Sequence, residues 1–152
     1  MATGYFFDQF VIGSVFRAGP RLLTANAIDD FAALTGDVNR LHLDDEFAKS
    51  KGFKRGRIAH GALVLSLALG MAWQSGFLED TTQAFREVGS FKFNAPAYPG
   101  DTLFLIIAVE GLKAYPKLQS GMVTFRADVV NQDKDIICGG TLHLLMAMRP
   151  AA

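Results

Sequence analysis

The sequence predicts an α+β domain in which an antiparallel sheet wraps one long apolar helix. Three observations predict it. The segment from Ile58 to Trp73, "IAHGALVLSLALGMAW", is almost wholly apolar. The hydrophobic period is helical before it and changes to two after Gly76. At least four strand-like runs then follow, separated by turn-forming residues. A helix with no polar face needs cover all round, and a sheet is the element able to supply it. One sheet does not enclose a helix completely, so further cover is expected from the early helices or from a second copy of the chain.

The elements follow in order. "YFFDQFVIGSVF" is expected as an edge strand. Thr24 is placed to cap a helix carrying Ala27, Ile28, Phe31, Ala32 and Leu34 at helical spacing, and Gly36 ends it. Asp44 or Asp45 opens a short helix through Phe47 and Ala48, stopped by Gly52. The apolar helix comes next and ends near Gly76. In "REVGSFKFNAP" Val88 is out of phase, while Phe91 and Phe93 share a face. "DTLFLIIAVEGL" is a long strand opened by the turn "PAYPGD". "GMVTFRADVV" puts Val123, Phe125, Ala127 and Val129 on one face. "NQDKD" is a turn, and "IICGGTLHLLMAM" is the last strand. No repeat or linker interrupts the 152 residues, which are read as one domain over 1–152. That length buries a core without metal or disulfide staples.

Composition excludes some functions. Fifteen basic and fifteen acidic side chains cancel, so no global field attracts nucleic acid or an anionic membrane. The lone cysteine, Cys138, has no partner within the chain and is read as a small buried hydrophobe in a reducing cytoplasm. The N-terminus lacks a basic region followed by an apolar stretch, so no signal peptide is expected. The apolar segment is shorter than the roughly 18 residues of a spanning helix, and it contains His60 and Ser66.

The stretch "TGDVNRLH", Thr35 to His42, crowds polar side chains behind the first helix. On a continuous helix Asp37 and His42 would lie more than a quarter turn apart. With Gly36 breaking the helix, the chain is free to curl so that both point to one spot. An ionised Asp accepts protons, and a His donates or accepts them near neutral pH. Asn39 fixes the loop through an Asx turn or holds a ligand. The plain alternative is a turn with a satisfied loop histidine. "RIAHGAL" adds Gly61 in the first turn of the apolar helix, where free N–H groups and a glycine let an oxyanion approach the backbone. Gly61 serves equally for close packing. His60 is read as orienting the helix start and His143 as structural. The three histidines and one cysteine lie on different elements and do not suit a zinc site. Lys54, Arg55 and Arg57 either meet phosphates or form a solvated loop.

Three blocks together resemble a known family. "FAALTGDVNRLHLDDEFA", "GFKRGRIAHGALVLSLALG" and "FKFNAPAYPGDTL", in this order and spacing, resemble the MaoC-like (R)-specific enoyl-CoA hydratases of the hot dog fold. The resemblance runs from about Thr24 to Leu103. It implies that Asp37 and His42 are the catalytic pair, Asn39 a supporting group, and Gly61 the N–H donor to a thioester carbonyl. Arg40 stands where the family usually has proline, which puts the stiffness of the loop in question. Leu69 stands near where some members carry a serine. The implied reaction is hydration of a trans-2-enoyl-CoA to a (3R)-3-hydroxyacyl-CoA, with no metal or prosthetic group, the substrate carrying the coenzyme A. A cytoplasmic homodimer or higher homo-oligomer is expected, with Phe85, Phe91 and Phe93 near the acyl chain. Two other readings stand beside it: a hot dog acyl-CoA thioesterase, and a non-catalytic subunit that binds acyl thioesters.

Overall fold

The computed structural model describes residues 4–150. Five strands, β1 (Val15–Leu22), β2 (Thr82–Phe93), β3 (Thr102–Tyr115), β4 (Ser120–Val130) and β5 (Ile136–Ala147), form one antiparallel sheet in the order β1-β3-β4-β5-β2. Helices α1 (Ala25–Thr35), α2 (Arg40–Leu43), α3 (Asp45–Ser50) and α4 (Gly61–Gln74) all lie in the chain between β1 and β2. The α+β expectation holds, with α4 as the apolar helix laid against β1, β3 and β5.

Alternation in the central strands builds the core. Leu103, Leu105, Ile107 and Val109 of β3 are buried, as are Val123, Phe125, Ala127 and Val129 of β4. They meet Leu63, Val64, Ala68, Met71 and Ala72 of α4 in one hydrophobic cluster. Each such large side chain stabilises the fold by about 1.5–3 kcal/mol through burial.

Three expectations need correction. Of the segment 5–16 only the last two residues, Val15 and Phe16, belong to a strand. Phe7–Gln9 form a single 3₁₀ turn, and pairing begins only at Val15. Phe7 occupies the space that a side chain on Gly121 of β4 would need, and Phe10 joins Phe16, Phe77 and Phe125 in an aromatic cluster. These aromatics plug the core end-on instead of alternating along an edge.

Second, of the two expected sources of further cover, the early helices do not complete it, which leaves one side open on α4. The helix starts at Gly61, not Ile58, and Ala62, Ser66, Gly70 and Trp73 form an outward stripe along it. The early helices leave that stripe open. Third, β2 has no clean period of two, because its pairing with β5 shifts register three times between Thr82 and Lys92. Those irregularities leave Phe85, Val88 and Phe93 exposed and account for the phase break at Val88.

A buried carboxylate ties the turns together. Asp101 is fully buried. It accepts from Arg55 Nη1 at 2.8 Å, Gln132 Nε2 at 3.2 Å and the Tyr98 N–H at 2.8 Å. Arg55 also lies over the Tyr98 ring, 4.5 Å from its centroid. Asp101→Ala is expected to cost about 1–3 kcal/mol in urea unfolding, mostly by leaving the Tyr98 N–H without an acceptor, since Gln132 Nε2 keeps its bond to Asp133 Oδ2 at 3.1 Å. The Arg55 end stands half in water and adds little.

Cys138 is completely buried on β5, and burial, with the Asp128 charge next, pushes its thiol up to about 12. The native protein should resist a thiol reagent at pH 8 and react only when unfolded. Rapid labelling of the native protein would contradict its placement.

Candidate active site

Local capping brings Asp37 and His42 together. Thr24 Oγ1 caps α1 by accepting from the Ala27 N–H at 3.1 Å. Gly36 ends α1 in the left-handed region at φ 77°, a conformation that favours glycine. Thr35 Oγ1 accepts from the Asp37 N–H at 3.3 Å. Asn39 makes the Asx turn, its Oδ1 accepting from the Leu41 N–H at 3.0 Å and capping α2. Thus the loop contains a helical turn that the sequence reading did not separate. His42 sits in that turn, and a carboxylate oxygen of Asp37 lies within 4.8 Å of a ring nitrogen of His42.

Arg40 is the first residue of α2, a position where proline is also at home. It holds Asp44 Oδ2 through Nη2 at 2.6 Å and Nε at 3.3 Å. Asp44 Oδ1 in turn caps α3 at the Phe47 N–H, 2.9 Å away. The Phe47 N–H, and after it Arg40, hold the Asp44 carboxyl below the usual carboxylate range.

The two histidines beside Asp37 are fixed by main-chain carbonyls. His42 Nδ1 lies 2.8 Å from the Ile58 oxygen, and His60 Nε2 lies 2.9 Å from the Asp37 oxygen. A carbonyl only accepts, so each of these nitrogens carries the hydrogen. His42 is left with Nε2 for chemistry. The rings stack with centroids 3.8 Å apart and planes 30° apart. Among the described residues, Asp37, His42 and His60 are the cluster of potential metal ligands. Each ring keeps one nitrogen that no carbonyl binds, Nε2 of His42 and Nδ1 of His60.

A cleft of about 510 Å³ opens beside the pair, lined among others by His42, Ile58, Gly61, Val64, Phe93 and Pro96. His60, the N-cap of α4, gives no side-chain hydrogen bond to the helix start. The first-turn amides of α4 therefore stay available at the cleft. A Cβ on Gly61 would meet the Phe93 ring, 2.8 Å from Cε1. Phe93 itself is 56% exposed. Its position over Gly61 has no sequence signal, since the two lie on different elements far apart in the chain. The Ile58 carbonyl is likewise invisible in the residue pattern.

The basic loop takes a form not foreseen in either reading. Besides the Arg55–Asp101 pair, Arg57 Nη1 holds Asp29 Oδ1 of α1 at 2.6 Å. Both arginines are structural ties, while Lys54 is exposed. His143 lies on β5 with Nδ1 3.0 Å from Thr124 Oγ1, away from the cleft lining.

The chain is similar to known proteins. A family model described as "MaoC like domain" matches residues 9–131. An (R)-specific enoyl-CoA hydratase of Rhodospirillum rubrum is 34% identical over 112 residues, which cover 72% of this chain and 70% of that one. The structure of a monoamine oxidase regulatory protein of Archaeoglobus fulgidus superposes with a TM-score of 0.88 at 33% identity, covering 97% of each chain. A conserved Mycobacterium tuberculosis protein with a double hot dog fold superposes with a TM-score of 0.85 at 23% identity, over 100% of this chain and 47% of that one. Other matched relatives are much longer, and this chain spans 17%, 30%, 38% and 4% of four of them.

Gly61 separates packing from site access. Because the Phe93 ring that a Cβ would meet stands more than half in solvent, Gly61→Ala should melt within a few degrees of wild type. Gly61→Val carries more bulk and should cost about 1–3 kcal/mol by overpacking. Thermal melts of both variants, and of Gly61→Val combined with Phe93→Ala, check this. If removing the ring does not recover stability, Phe93 is not what restricts position 61.

Proposed function

Since this chain belongs to the MaoC-like dehydratase family and has the hot dog fold, we propose that it is a hydro-lyase interconverting a trans-2-enoyl-CoA and a (3R)-3-hydroxyacyl-CoA. The observation that carries the reading is the approach of Asp37 to His42, whose ring lines a cleft that also reaches the start of α4. A carboxylate, an imidazole nitrogen and a helix N-terminus are the parts needed for chemistry alpha to a carbonyl.

In this reading water lies between Asp37 and Nε2 of His42. Asp37 takes a proton from the water as its oxygen bonds to Cβ. The double-bond electrons move toward the thioester carbonyl, and the Gly61 N–H stabilises the enolate oxygen, a contact of a kind worth about 3 kcal/mol. A proton carried on Nε2 of His42 goes to Cα. The proton on Asp37 then returns to His42, so the net change is the addition of one water. The bond from His42 Nδ1 to the Ile58 carbonyl keeps Nε2 facing the reaction. Asn39 supports the loop. No step calls on a metal or prosthetic group. Lys54, exposed in the basic loop, is the cation proposed to meet the phosphates of coenzyme A.

A second copy of the chain completes the reading. No helix among the described residues is long and apolar enough to cross a membrane. The outward stripe of α4 and the exposed Phe85, Val88 and Phe93 on the sheet-edge strand β2 support pairing with another copy. Light scattering at micromolar concentration should give at least a dimer.

The catalytic test uses crotonyl-CoA followed by ultraviolet absorbance. Wild type should remove the conjugated double bond. Asp37→Asn and His42→Ala should each lower turnover by about a hundredfold or more with the fold intact. Their losses should not add in the double variant. Release of free thiol instead of loss of the double bond would favour a thioesterase. Binding without either change would favour a non-catalytic subunit.

A further inference from the structure

We infer that His60 is a positioning residue that sets the acid–base pair against the oxyanion donor; this rests on the reading of Asp37 and His42 given above. The family comparison identifies neither its contacts nor a role for it. Three observations on one side chain carry the inference.

First, its backbone is the N-cap of α4, so it is bonded directly to Gly61, yet its side chain does not cap that helix. The ring turns instead to the loop, and Nε2–H donates to the Asp37 carbonyl at 2.9 Å. Second, the ring stacks on His42 with centroids 3.8 Å apart, and Phe31 of α1 meets it at 5.0 Å. Third, the residue is 2% exposed, and Nδ1 is buried with no hydrogen-bond partner.

The third observation decides what kind of role this is. Burying a polar atom without a partner works against stability. A histidine kept only to fill the core would therefore be improved by an apolar ring of similar shape. His60 makes a single side-chain hydrogen bond, and that bond goes to the residue proposed as the base. One face of the same ring also fixes the plane of His42. The tie between His42 Nδ1 and Ile58 runs parallel to it, two residues earlier. The segment from Ile58 to Gly61 thus holds the base, the acid and the oxyanion donor in one short piece of backbone. Reacting groups misplaced by about 1 Å lose rate steeply.

Two variants and two readouts test this. His60→Phe keeps a ring in place but removes the Nε2–H. His60→Gln restores an N–H at roughly the same reach. Hydration of crotonyl-CoA is measured as kcat and KM, and backbone amide hydrogen exchange is measured over residues 35–42 without substrate. His60→Phe should melt at or above the wild-type temperature, lose kcat by about tenfold or more with little change in KM, and exchange faster in the loop. His60→Gln should recover part of kcat and the loop protection.

A folded His60→Phe with wild-type kcat and wild-type loop exchange would overturn the inference. A His60→Phe that fails to fold would overturn it too, because the role would then be structural. If the wild-type protein does not hydrate crotonyl-CoA, the hydratase reading fails on that substrate. The exchange arm still decides whether His60 holds the Asp37 loop.

Discussion

A helix without a polar face has to be covered, and the rest of this molecule is arranged around that need. α4 carries no charged residue along its length. The sheet supplies most of the cover, with buried side chains from β3, β4 and β5 joining those of α4 in one core. Because α4 is pinned along its buried face, its N-terminus is fixed in place as well. The cleft forms at that fixed end, where the incoming segment from Ile58 to His60 runs extended and pairs with neighbours. The Ile58 N–H donates to Leu41 and the Ala59 N–H to Ala97, at 3.0 and 2.8 Å. The site is therefore built at a packed helix end whose first turn has no side-chain cap.

The loop that brings Asp37 and His42 is short and mostly exposed, so it is ordered from two directions. From within, a relay of small polar side chains at Thr35, Asn39 and Asp44 satisfies the backbone one turn at a time. From below, two ring nitrogens bind carbonyls across the gap between the loop and the start of α4. The inner relay sets the curl of the chain. The outer bonds set where that curl stands relative to the cleft.

Much of this was legible in the residue order, for reasons that differ by element. Caps are local, so Thr24 and Gly36 could be read directly, while Asn39 and Asp44 were each one of two alternatives that the structure decides. β4 alternates through its length, and its inward residues Val123, Phe125, Ala127 and Val129 were read correctly. The N-terminal segment misled because phenylalanines at 6, 7 and 10 suggest a strand as readily as a plug. β2 misled because register shifts erase the period of two. The basic loop was unreadable because Asp29 and Asp101, the partners of Arg57 and Arg55, are 28 and 46 residues away. The proposed acid–base pair, Asp37 and His42, was visible as two residue types with a glycine before them. The carbonyls that aim the rings carry no sequence signal at all.

Arg40 has a consequence for how the site responds to its surroundings. A proline at that position, the usual residue in the pattern this loop resembles, stiffens the chain by covalent geometry, which is indifferent to the solution. Arg40 replaces that restraint with an ionic tie to Asp44, and its side chain is 65% exposed. Exposed pairs weaken as salt rises, over a screening length of about 8 Å at physiological ionic strength. Asp44 has its carboxyl lowered, so the tie is present above the ordinary carboxylate value and fades as pH falls through the lowered one. The stiffness of the loop bearing Asp37 and His42 is thereby coupled to ionic strength and acidity, where a pyrrolidine ring would have kept it constant.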